Sequence, residues 1–103
     1  MQKQHFQTLT RAYFRLMKFN AAVLKDRSVT FAVVIVKPDT LRSMHEATRQ
    51  QIGLAPAFPG IPIVLMAQDD SGAPIFHGRK DLVSFMGNVR LDAIRWREYS
   101  HGR

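Results

Sequence analysis

The chain has 103 residues, of which 46% are hydrophobic and 22% charged, and it carries a formal net charge of +7 without a single cysteine. This length and composition predict a single globular domain of 1–103 with one core. They exclude disulfides, thiol nucleophiles and cysteine metal sites, and no apolar run approaches the roughly 20 residues that cross a bilayer.

The first 25 residues predict an amphipathic helix from Lys3 to about Lys25. Asn20 falls in the middle of its apolar face, where the amide needs a buried partner or the helix frays. The stretch is also basic and free of acidic residues, which is the pattern of a mitochondrial transit peptide. We prefer the core-packing helix, because the stretch is continuous with the fold. Its apolar positions recur at helical spacing: Phe6, Leu9, Tyr13, Leu16, Met17 and Leu24.

The next segments predict a buried strand followed by a helix. Val29 to Val36 is short, β-branched and apolar on both faces, which is typical of a strand covered on both sides. Asp39 is a good N-cap for a helix that ends near Ile52, with Gly53 as its stop. Ser43 opens a capping-box pattern, so the alternative is a later start of this helix.

Residues 53–62 contain three prolines and two glycines, which predict a stiff loop. Ile63 to Gln68 is a second buried strand, and the turn residues 69–72 lead into a return strand, Ala73 to His77. The proline in that return strand places it at a sheet edge. Arg79 to Asn88 predicts a short helix.

The final segment is either strand or helix over residues 90–99. Extended geometry from Ile94 to Tyr99 would place Ile94 and Trp96 on one face, with Arg95, Arg97 and Tyr99 on the other. A helix would scatter these side chains. We therefore predict a strand.

The elements define an α/β class with a mixed sheet, in the order α-β-α-β-β-α-β. A helical crossover makes the first two strands a parallel, right-handed pair, and an antiparallel hairpin follows. This order over residues 29–88, with a proline opening the second strand, is similar to the C-terminal half of thioredoxin-like domains. A cysteine-free variant of that fold is the alternative, and no activity is carried over.

The candidate binding residues of the chain are basic or aromatic. The four histidines are scattered, and Asp69 and Asp70 are explained by their turn. No phosphate-binding glycine motif and no serine elbow occurs. Two sets of cations remain as anion or nucleic-acid contacts. Arg79 and Lys80 lie at a helix start, and Arg95 and Arg97 alternate with the aromatic Tyr99.

The charge is concentrated at the two ends of the chain. Residues 1–27 have a balance of +5, residues 28–78 of −1 and residues 79–103 of +3. This permits an anionic partner without requiring one. The sequence predicts a cytoplasmic, non-enzymatic protein-binding or adaptor module, with neither cofactor nor metal nor membrane contact. The alternative is a weak, sequence-independent nucleic-acid-binding protein that uses the basic C-terminal strand.

Overall fold

The computed structural model describes residues 17–101, which form a five-stranded mixed sheet with one helix on each face. The spatial order of the strands is β4-β3-β2-β1-β5, and only β2 and β3 are parallel. Within these residues, neither helix has the length and apolarity needed to cross a membrane. The elements are β1 (Met17–Asp26), β2 (Val29–Ile35), α1 (Met44–Leu54), β3 (Ile63–Gln68), β4 (Pro74–His77), α2 (Lys80–Met86) and β5 (Arg97–His101).

The predicted mixed α/β sheet is confirmed, including the parallel β2-α1-β3 unit and the antiparallel β3-β4 hairpin. The predicted first helix is wrong for residues 17–25, which form β1; its residues 3–16 lie outside the described part of the chain. A two-residue turn at Arg27 and Ser28 joins β1 to β2. Because β2 offers an apolar partner strand, pairing overrides the helical spacing. Asn20 is exposed and lies opposite Glu98 of β5.

Helix α1 begins at the later of the two predicted positions. A 3₁₀ helix covers Pro38–Arg42, and the Glu46 N–H then donates to the Ser43 hydroxyl at 3.3 Å. The helix runs through Gly53 to Leu54, so the predicted glycine stop is wrong. Leu54 is buried against the sheet, which favours two further helical residues beyond Ile52. The loop predicted for residues 53–62 therefore starts later and includes a 3₁₀ turn at Ala55–Ala57.

The β3-β4 turn has the predicted chemistry. One carboxylate oxygen of Asp69 accepts hydrogen bonds from the Ser71 hydroxyl at 2.7 Å and from the backbone N–H groups of Ser71 and Ala73, both at 2.9 Å. The Ser71 hydroxyl, followed by the Ala73 N–H, lowers the pKa of Asp69. Gly72 has a φ of 88°, which favours glycine. The return strand β4 lies at the sheet edge, as predicted, and begins at Pro74 rather than at Ala73.

The core is divided between the two faces of the sheet. We call them the α1 face and the α2 face, after the helix that covers each. Buried residues on the α1 face are Ala21, Ala32, Val34, Ala47, Leu54, Phe58, Ile63 and Leu65. Those on the α2 face are Phe31, Val33, Val64, Met66, Leu82 and Met86.

Two glycines should respond to alanine in opposite directions. A Cβ added at Gly78 would lie 3.2 Å from the Ile63 carbonyl oxygen and from the Val64 Cα, which belong to the rigid backbone of β3. Gly78→Ala should therefore destabilise the fold by about 1–3 kcal/mol, the usual cost of overpacking. At Gly53, inside α1, a Cβ would meet nothing within 4 Å.

The matched control Gly53→Ala should stabilise by about 0.5–1 kcal/mol, because alanine is the better helix former. Urea denaturation of both variants measures the two effects. Equal stability of Gly78→Ala and the parent chain would mean that the β4-α2 connection does not pack closely against β3.

Candidate binding edge of the sheet

The C-terminal segment keeps the predicted alternation, although its strand begins at Arg97 rather than at Ile94. Ile94 and Trp96 pack on the α2-face cluster and are partly buried. Arg95 and Arg97 are exposed. The predicted strand is confirmed for residues 97–99, whereas Leu91–Ala93 form a 3₁₀ turn and residues 94–96 belong to neither a helix nor a strand.

Tyr99 lies among aromatic rings of the α1 face. Its ring stacks on Phe19 with 5.7 Å between centroids and 7° between planes, and it meets Phe58 edge to face at 5.1 Å. These contacts place the ring at the periphery of the core. The ring of Tyr99 is therefore not in an exposed position from which it could stack on a nucleic-acid base.

Truncation of Tyr99 should reveal this core role. Tyr99→Ala should lower the free energy of unfolding by about 2–3 kcal/mol, below the range for a fully buried aromatic residue because Tyr99 is only partly buried. Tyr99→Phe keeps both ring contacts and should stay within about 0.5 kcal/mol of the parent chain. Chemical denaturation checks this. A small loss in Tyr99→Ala would contradict the packing role.

The two predicted sets of cations are not brought together. Arg79 and Lys80 follow β4 at one edge of the sheet, whereas Arg95 and Arg97 lie at β5, the opposite edge. Arg79 is also engaged, because its guanidinium donates two hydrogen bonds to the Asp81 carboxylate at 2.9 and 2.8 Å.

This ion pair explains the perturbed pKa values at the start of α2. The hydrogen bond to Asp81 raises the pKa of Arg79, and the same contact lowers the pKa of the Asp81 carboxyl. Lys80 is exposed. The Arg79–Lys80 corner therefore offers one cation that pairs internally and one that points to solvent.

The hydrogen bonds of β2 show which way the backbone N–H and C=O groups of β1 point. The Ala32 N–H donates to the Pro62 carbonyl at 2.9 Å, so even-numbered residues of β2 direct their backbone groups toward β3. Odd-numbered residues such as Phe31 then face β1. Since Phe31 pairs with Leu24, the even-numbered residues of β1 face β2 and the odd-numbered ones face the other way.

This geometry leaves an open edge on β1. The N–H and C=O groups of Val23 and Lys25 point away from β2, on the side where β5 runs. Pairing with β5 ends at Ala21 and Arg97, however. Within residues 17–101, no backbone group is hydrogen-bonded to Val23 or Lys25 on that side. We call residues 22–26 of this strand the β1 edge.

The edge is open because the chain leaves the sheet before β5 begins. Continued pairing in the same register would place Arg95 opposite Val23. Instead Ile94 and Trp96 are drawn onto the α2-face cluster, and a 3₁₀ turn at Leu91–Ala93 precedes them. Burial of the indole thus directs the chain away from the strand.

A groove of about 430 Å³ lies between the β1 edge and the departing chain. Its walls are mostly apolar, and two arginines complete them. The lining residues are Ala22, Val23, Leu24, Val89, Arg90, Ala93, Ile94 and Arg95. Val23 is 48% exposed, which is high for a large apolar residue in the middle of a strand.

Cations surround this groove. Arg90 pairs with Asp92 at 3.0 Å. Lys25, Arg95 and Arg97 are exposed, and none of them forms an ion pair with another described residue. Two of the residues predicted as anion contacts, Arg95 and Arg97, therefore lie beside an unpaired strand edge.

Two larger grooves, of about 630 and 600 Å³, flank Val36 and Pro38 at the carboxyl ends of β2 and β3. This is where α/β sheets often bind small ligands. The two carboxylates there have structural partners, since Asp69 holds its own turn and Asp92 pairs with Arg90. The residues that the structure describes include no cluster of three potential metal-ligating side chains.

The β1 edge was not predicted from the sequence, because residues 17–25 were assigned to a helix. The available signal is the polar sequence Asp26-Arg27-Ser28 between two apolar runs, which is typical of a hairpin. Arg27 has a φ of 59°, whereas glycine or asparagine usually marks such a turn. Because the turn contains no glycine, the sequence pattern did not identify it.

Comparison of the chain with protein-family models, with curated proteins and with solved structures finds no match. The similarity to thioredoxin-like domains over residues 29–88 therefore stays a prediction from element order. At the N-terminal side of that stretch, the strand β1 stands where a helix was predicted.

Proposed function

We propose that this protein is a non-enzymatic protein-binding module that holds an extended segment of its partner at the β1 edge. The observation that carries the proposal is the outward-facing backbone of Val23 and Lys25, unpaired within the described residues and next to an apolar groove. An exposed strand edge is a template for another chain. A cytoplasmic location is part of the proposal.

Strand addition supplies affinity through main-chain hydrogen bonds and specificity through pockets for alternate side chains. Val23 and Lys25 each offer one donor and one acceptor, so a short segment gains up to four hydrogen bonds. The opposite edge of the sheet is less suited to this role. Pro74 opens β4 there and has no N–H to offer.

Proline at position 23 tests the mechanism directly. The Val23 N–H does not bond to β2, so Val23→Pro removes a donor from the open edge without removing a bond from the β1-β2 ladder. Peptides selected on the full chain from a random display library should bind Val23→Pro about tenfold more weakly, the effect of one lost hydrogen bond.

The matched control is Val23→Ala, which keeps the N–H and should bind within about threefold of the parent chain. Lys25→Pro removes the second outward donor and replaces Val23→Pro if that variant does not fold. Selected peptides that bind both proline variants as tightly as the parent chain would contradict strand addition at the β1 edge, as would a failure to select any peptide.

The second candidate function is weak, sequence-independent nucleic-acid binding, which the exposed cations Lys25, Arg95 and Arg97 favour. Three phosphate contacts predict a slope of log K against log salt near −3 on duplex DNA, with dissociation constants of about 10⁻⁴ to 10⁻⁶ M. Replacing Arg95 and Arg97 by alanine should flatten that slope by about two units. A fluorescence titration of oligonucleotides over a salt series measures it, and an unchanged slope would reject this function.

A further inference from the structure

We infer that the segment held at the β1 edge is acidic on one face and apolar on the other. This inference rests on the proposed function, since it names the partner chemistry of the same site. It follows from how the two faces of an added strand would be surrounded.

The α1 face of an added strand would meet positive charge. Residues opposite Val23 and Lys25 share the face of those side chains, which is the α1 face because Val23 pairs with Ala32. Arg97 lies opposite Ala21 and so projects from the same face. Ala21 and Lys25 are about 14 Å apart along β1. A carboxylate opposite Val23 would therefore lie between the two cations Lys25 and Arg97.

The α2 face of the same strand would meet apolar surface. The residue opposite Leu24 points to this face, where Leu24 packs against the α2-face cluster. Val89 and Ile94 line the groove at this point, and both are only partly buried. An aliphatic side chain placed there would cover apolar surface that the described residues leave open.

Within the described residues, neither Lys25 nor Arg97 forms an ion pair with a carboxylate. Exposed pairs are individually weak and screened by salt. Two cations acting on one bound carboxylate, next to four main-chain hydrogen bonds, make charge a measurable part of specificity rather than the main source of affinity.

Three synthetic peptides of equal length test the inference. They alternate valine with glutamate, with glutamine or with lysine, and they are titrated against the full chain by fluorescence anisotropy. The glutamate peptide should bind about tenfold more tightly than the glutamine peptide at low salt, and this advantage should shrink severalfold at high salt. The lysine peptide should bind most weakly.

Charge reversal locates the effect. Lys25→Glu with Arg97→Glu should reverse the order, so that the lysine peptide binds more tightly than the glutamate peptide. Arg42→Glu with Arg49→Glu is the matched control: it reverses two exposed charges away from the β1 edge and should keep the original order.

The outcomes separate the two proposals. Equal binding of the glutamate and glutamine peptides would overturn the acidic preference and leave strand addition standing. Binding of none of the three peptides, together with a salt-dependent titration by a single-stranded oligonucleotide, would overturn both in favour of nucleic-acid binding. An unchanged order in the charge-reversal variant would place the acidic preference elsewhere and overturn the inference.

Discussion

Replacing Phe31 by alanine should cost about 3–5 kcal/mol of the free energy of unfolding, the largest loss that we expect from a single substitution. The ring is fully buried at the centre of the α2 face and meets Phe85 edge to face, with 5.9 Å between centroids. Its removal leaves a cavity under α2 that the sheet backbone cannot close. Urea denaturation followed by circular dichroism measures the loss, which is a large share of the 5–15 kcal/mol typical of a domain.

Phe31→Leu is the control, since it fills most of the cavity and should cost only about 1–2 kcal/mol. Both variants should keep the urea dependence of the parent chain if they unfold in one step. A loss below about 1 kcal/mol in Phe31→Ala would mean that α2 does not cover this face of the sheet.

Replacing Trp96 by alanine should cost about 2–4 kcal/mol, slightly below the range for a fully buried large side chain because the indole is only partly buried. The indole packs on the α2-face cluster and lines one of the grooves at the carboxyl end of β3. It also directs the chain away from β1 ahead of β5. The variant should therefore weaken peptide binding at the β1 edge as well as global stability.

Arg95→Ala is the matched control for stability, because its side chain is exposed, and it should remain within about 0.5 kcal/mol of the parent chain. Trp96 is the only tryptophan, so its fluorescence reports the unfolding of the parent chain and of Arg95→Ala directly. A stability loss in Trp96→Ala no greater than that in Arg95→Ala would contradict the anchoring role.

The parts of the fold that could be predicted from the residues alone are those in which local chemistry and burial agree. Val29–Ile35 and Ile63–Gln68 are apolar on both faces, and a strand covered by helices on both sides is the arrangement that buries them. The turn at Asp69 to Gly72 and the edge position of Pro74 also follow from single residues. The alternation of Trp96 with its neighbouring arginines follows from extended geometry.

The identity of β1, and with it the candidate site, depends on pairing with the neighbouring strands β2 and β5, of which β5 is distant in the chain. The apolar residues of 17–25 suit a helix by spacing and a strand by composition, and a neighbouring strand was needed to choose between them. Arg27 forms a turn at a positive φ without glycine, so the local signal was weak. The open edge of β1 is even harder to predict from the sequence, because it depends on where β5 stops pairing. We attribute that end point to the packing of Trp96 on the α2 face. Such competition between strand pairing and side-chain burial involves residues far apart in the chain, so it cannot be recognised in a local sequence pattern.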